Sequence, residues 1–144
     1  MALRNIRSAE KHQHASFAMT QAAKTSLLLG NYIKAKSLAN QLLSMNPYNG
    51  EAYIIIGDAY AKGRKDCGDN ECTSRAAYWA AVDKYSRAKS VDPSVAEQAQ
   101  SRINTYTAQF PKKEDCFFHG INDGTSFTFD CWIGETSTVR TTSN

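Results

Sequence analysis

The sequence has few of the features that would name a chemistry, and each shortage removes a class of function. No stretch approaches the roughly 18 consecutive apolar residues needed to cross a bilayer, since the longest apolar cluster covers only residues 52–56. Direct membrane insertion is not expected. The opening Met1-Ala2-Leu3-Arg4-Asn5 has no apolar core followed by a small-residue cleavage site, so no secretory signal is read there. Glycine-rich phosphate loops, a nucleophile elbow and a paired-carboxylate setting are all missing. Only three histidines occur. His12 and His14 are two apart and fall on different faces of a helix, while His119 sits beside Gly120 in an expected strand. An enzyme is not expected, nor is a cofactor.

What is present is ordinary globular material with an uneven charge. Hydrophobic residues make up 42% and charged residues 22% of 144 residues, which argues against wholesale disorder and for one compact domain or a short solenoid with an appendage. Residues 1–46 hold six basic side chains (Arg4, Arg7, Lys11, Lys24, Lys34, Lys36) against Glu10 alone, a balance of +5. From Pro111 onward three basic residues face five acidic ones, a balance of −2. The basic stretch is either a solvated helix face or a steering surface for an acidic partner. It lacks interleaved aromatics, so nucleic acid is not an expected partner.

Periodicity and punctuation predict five helices, at about 8–29, 31–45, 50–62, 73–91 and 93–109. Gly30 and Gly63 suit left-handed helix ends, Pro47 stops a helix, and Asp92-Pro93 starts one. Small residues such as Ala35, Gly57 and Ala81 would let antiparallel helices approach, with Tyr32, Tyr53, Tyr60 and Tyr85 filling the gaps beside them. Residues 64–75 form an insertion between two helices of one pair.

The order Gly30, Tyr32, Ala35, Ala39, Leu42, Pro47, then Tyr53, Ile56, Gly57 and Tyr60, followed by Tyr78, Ala81, Tyr85, Ala88 and Asp92-Pro93, resembles the tetratricopeptide repeat, a helical hairpin of about 34 residues. The resemblance implies a mainly α fold of stacked antiparallel helical hairpins over residues 1–110, and a protein or peptide partner. In that family the first helix of each hairpin lines the concave side. The corresponding groove positions are Thr20, Gln21 and Lys24, then Ile54, Ile55, Asp58 and Lys62, then Gln100, Ser101 and Asn104. For Ile54 and Ile55 burial between neighbouring helices competes with partner contact. One subfamily clamps a chaperone's terminal carboxylate, and its matching positions here are Thr20, Lys24, Ile55, Glu97 and Ser101. Only Lys24 could serve, so that partner is not expected.

Beyond Phe110-Pro111, alanine vanishes and strand formers rise. Residues 111–144 are expected to form a small antiparallel hairpin or meander: residues 117–119 as a strand, Asp123-Gly124 as its turn, residues 126–133 as the second strand, Gly134-Glu135 turning into 136–140, and a fraying end at 141–144. The register of an Asp123-Gly124 turn sets Cys116 opposite Cys131, and pairing within each segment gives Cys67 to Cys72 and Cys116 to Cys131. Disulfides require an oxidising compartment. A four-cysteine zinc site and free thiols compete, although C-x4-C and C-x14-C depart from metal-knuckle spacing. The acidic turn around Gly68 does not match a calcium loop. Trp132 is either a stacking platform for a glycan or a seal against Phe110 or the fifth helix.

The tail residues Phe117-Phe118-His119-Gly120, Cys131 to Thr136 and Val139-Arg140, with Ala77 to Lys84 before Asp92-Pro93, also resemble the C-terminal region of uncharacterised secreted bacterial tetratricopeptide proteins. This implies a periplasmic or cell-surface location, with the chain a fragment or mature region, and it implies no activity. The expected function is a non-enzymatic protein-protein interaction scaffold. Its alternatives are a structural C-terminal cap of a longer array and a ligand-binding β tail.

Overall fold

A computed structural model describes residues 2–142, and the side chains of residues 10–142. The chain is mainly helical, with a small two-stranded antiparallel sheet near its C-terminus. Helices α1 (Ala2–Leu28), α2 (Tyr32–Met45), α3 (Gly50–Lys62), α4 (Ala77–Val91) and α5 (Ala96–Thr107) follow one another through short connections except between α3 and α4, where the insertion lies, and each packs on the next. Helix α1 starts earlier than expected because neither glycine nor proline occurs before Gly30. Arg4 and Arg7, counted in the basic first hairpin, lie outside the described side chains.

Local chemistry explains the boundaries. Gly30 takes a positive φ of 78° after α1, and the Asn31 side chain accepts from the Lys34 amide at the start of α2. Asn49 does the same for Ala52 in α3. Asp92 caps a short 3-10 turn, Pro93–Val95, through the Ser94 amide, and its other oxygen accepts from Gly50 N, which ties the start of α3 to the start of α5. Gly63 departs from the expected left-handed helix end. Its φ is −98°, and glycine is needed for space: a Cβ there would lie 2.6 Å from the Tyr32 ring and 2.8 Å from Trp132.

The core follows from small residues facing aromatic ones. Gly57 brings α3 so close to α4 that a Cβ would meet the Tyr85 ring at 2.6 Å. Tyr106 of α5 stacks on both Tyr78 and Tyr85 of α4, at centroid distances of 5.4 and 5.9 Å. Ala35, Ala39, Ala81 and Ala88 are buried at the other helix contacts.

The C-terminal segment differs from the expected meander. Residues 117–119 are not a strand, because Lys113–Phe118 forms a sixth helix, α6, whose Glu114 and Asp115 suit a helix N-terminus. Strand β1 (Ser126–Thr128) pairs instead with β2 (Thr136–Thr138), Phe127 facing Ser137. Asp123-Gly124 still lies in a turn, and Gly124 N donates to Val139 O. The residues between the strands form a loop carrying Cys131 and Trp132 rather than a long second strand. Thr142 does not fray, since its amide donates to Pro111 O at 2.9 Å. Ser143 and Asn144 lie outside the described residues.

All four cysteines are bonded, each bond joining the insertion to the C-terminal segment. Cys67 joins Cys131 and Cys72 joins Cys116, with Cα separations of 5.4 and 4.7 Å. The local pairs Cys67 to Cys72 and Cys116 to Cys131 are therefore corrected, and no cysteine is left free. The local pairing of Cys116 with Cys131 assumed a hairpin register that α6 abolishes. Each bond closes a long loop, of 64 and 44 residues, and each alone would stabilise by about 4 kcal/mol on chain-entropy grounds. One loop is nested in the other, so the pair contributes less than twice that.

Candidate interaction surface

The two disulfides fasten the C-terminal segment to the insertion, and polar contacts fix where it lies. Lys36 of α2 donates to Ile133 O at 2.7 Å and stands over the rings of Tyr60 and Trp132, at 5.1 and 5.9 Å. Trp132 Nε1 donates to Gly63 O at 3.0 Å and packs edge-on against Tyr60. Glu135 accepts from the Tyr60 hydroxyl and pairs with Lys84 of α4 at 2.8 Å. Further along, Trp79 Nε1 donates to Arg140 O at 2.7 Å, and Arg140 pairs with Asp83 at 2.8 Å. The segment thus covers parts of α2 and α4 and the end of α3.

Two groups of this network, Lys36 and Tyr60, have shifted pKa values. Burial lowers the Lys36 pKa, Glu135 opposes that shift, and Lys84 adds to it. Burial first, then the hydrogen bond to Glu135, raises Tyr60 far above the usual phenol range. The expected seal of Trp132 against Phe110 or the fifth helix is corrected: its partners are Tyr60, Gly63 and Lys36, while Phe110 lies under Arg140 at 5.3 Å.

Ion pairs join α3 to α1 and α5. Lys24 pairs with Glu51, both half-exposed, so little stability follows from that pair. Asp58 is a different case. It is buried and accepts from Arg102 Nε at 2.9 Å, from the second Arg102 nitrogen at 3.2 Å, and from the Tyr85 hydroxyl at 2.5 Å. Three donors already occupy most of that carboxylate's acceptor sites and the residue is only 6% exposed, so it offers little to a ligand.

The ten expected groove positions therefore divide. Gln21, Lys24, Lys62, Ser101 and Asn104 are exposed. Gln100 is half-buried, accepting from Lys89 and donating to Asn104. Four positions are not free surface. Thr20 is nearly buried and donates to Ser16 O, Asp58 is occupied as described, and Ile54 and Ile55 are 3% and 2% exposed. As groove contacts those isoleucines are corrected, because α3 is flanked on both sides and most of its circumference is core.

Sequence reasoning passed over Phe17 and Leu28. They are 68% and 84% exposed and fall at i, i+4, i+7 and i+11 with Gln21 and Lys24, along one stripe of α1. That spacing was readable. Arg102 was also missed, and its ion pair carries no sequence signal beyond opposite charge.

Other candidate chemistry stays apart. His12, His14 and His119 are exposed at separate places. Among the described residues, no three His, Cys, Asp or Glu side chains converge in a way that could hold a metal. No helix among them is long and apolar enough to cross a membrane. Comparison with protein-family models, with curated proteins and with solved structures gave no match.

Proposed function

We propose that this chain is a non-enzymatic protein-interaction scaffold, a tetratricopeptide-like array from an extracytoplasmic bacterial protein, which holds an extended segment or helix of another protein along α1, α3 and α5. One observation carries the reading. The C-terminal segment is stapled over α2, α4 and the end of α3, while the stripe of Phe17, Gln21, Lys24 and Leu28 on α1 and the polar row of Ser101 and Asn104 on α5 stay exposed. An exposed aromatic beside adaptable polar groups suits peptide recognition.

Ile54, Ile55 and Asp58 then act as the rigid floor beneath that surface and not as contacts. Two disulfides support an oxidising compartment. Consecutive helix pairs in close contact at Gly57 and Tyr85 support the repeat reading.

A photo-reactive residue placed at Gln21, at Ser101 or, as control, at Thr138 tests the proposal in the native envelope. The same protein should be captured from positions 21 and 101 and not from 138. Capture of no protein at either groove position, with a small molecule bound tightly instead, would refute it.

A further inference from the structure

We propose that the chain also binds a second copy of itself head to tail, with the phenylalanine-bearing helix α6 of one copy seated in the cleft beside the α1–α2 turn of the next. This surface meets the groove of the preceding section only at Leu28 and Lys62, and the proposal does not depend on that reading.

The two faces are complementary in chemistry. Helix α6 is held rigidly, because Cys116 is fully buried and bonded to Cys72. Yet its next two residues, Phe117 and Phe118, are 73% and 89% exposed. Two phenylalanines on a pinned element form an anchor whose ordering cost is already met by the fold. Helical spacing sets Glu114 between the two rings and Asp115 beside the second.

The receiving cleft has a volume of about 460 Å³ and is lined in part by Tyr32, Ile33, Lys62, Lys65 and Trp132. Leu28, Leu29 and Ile33 stand exposed around the same turn, at 84%, 79% and 64%. An aromatic and aliphatic hollow flanked by two lysines matches a pair of phenylalanines flanked by two carboxylates. Asp66, also at the cleft, can take Lys113 from the start of α6. The wider charge agrees, since residues 1–46 balance at +5 and residues 111–144 at −2.

Topology makes the contact one between successive copies. Helices α1, α3 and α5 run in the same direction, so their C-terminal ends share one edge of the molecule. The cleft sits on that edge at the ends of α1 and α3, and α6 follows the end of α5. Displacing a copy along the row of helices brings its cleft toward the α6 of its neighbour. Such an interface joins two different patches and propagates beyond a dimer.

Sedimentation of the intact, oxidised chain over rising concentration tests this, with two variants at exposed positions. Phe118→Asp blocks the donor face and Ile33→Asp the receiving face. Leu29→Asp replaces the latter if its melting shows loss of fold. The native chain should associate past the dimer, more weakly at high salt, and each variant should weaken association roughly tenfold or more. An equimolar mixture of the two variants should stop at a one-to-one dimer, because each retains one working face. The proposal fails if the native chain stays monomeric up to ~1 mM, the weak end of specific contacts. It also fails if association ends at a dimer of native chains, survives either substitution, or is not restored in the mixture.

Discussion

Asp58 and Arg102 form a two-pronged ion pair between α3 and α5, at 2.9 and 3.2 Å, with the carboxylate buried and the guanidinium a third exposed. The Tyr85 hydroxyl completes the carboxylate's shell from α4, so one side chain fixes the relation of three helices. Arg102→Met should cost about 2 kcal/mol in urea unfolding, since it strands a buried charge. Adding Asp58→Asn should recover much of that loss. Equal stability of Arg102→Met and the native chain would show the pair to be ornamental.

Close approach of α3 and α4 depends on Gly57. Alanine at that position gains helix propensity but drives a methyl into the Tyr85 ring, so Gly57→Ala should destabilise by about 1–3 kcal/mol. In a Tyr85→Leu background the penalty should shrink. A double-mutant cycle from thermal melts measures the coupling, and additive effects would contradict the contact.

Much of the helical fold was readable because its signals are local. Alanines and tyrosines recur at helical spacing, and Gly30, Pro47 and Asp92-Pro93 mark the breaks. The tail was less legible. An Asp-Gly turn is compatible with more than one partner strand, and Phe117-Phe118, good strand formers, are drawn into a helix anchored through Cys116. The resemblance to the repeat pointed to the exposed groove positions Gln21, Lys24, Lys62, Ser101 and Asn104. Burial of Ile54 and Ile55 was an open alternative in the sequence and is what the fold shows, whereas the burial of Asp58 was not legible, because its Arg102 and Tyr85 partners lie on other helices.

Alkaline pH should unfold the chain through its tyrosines. Tyr60 and Tyr85 have pKa values raised in the fold, chiefly by burial and then by Glu135 and Asp58 respectively. Unfolded phenols ionise near about pH 10, so above that pH the unfolded state binds fewer protons and stability falls as pH rises. Lys36 acts oppositely, its lowered pKa adding stability as pH rises toward 10.5, and one lysine is outweighed by two tyrosines. Tyr60→Phe and Tyr85→Phe should each flatten the decline in Tm above pH 10. An unchanged slope in both would remove the phenols as its cause.

Placement of the C-terminal segment, and with it the identity of the open face, depends on how the cysteines are joined. The most direct measurement is peptide mapping of unreduced, alkylated protein by mass spectrometry. The nested arrangement yields one linked peptide holding Cys67 with Cys131 and another holding Cys72 with Cys116. Peptides joining Cys67 to Cys72 and Cys116 to Cys131, or four alkylated thiols, would contradict it.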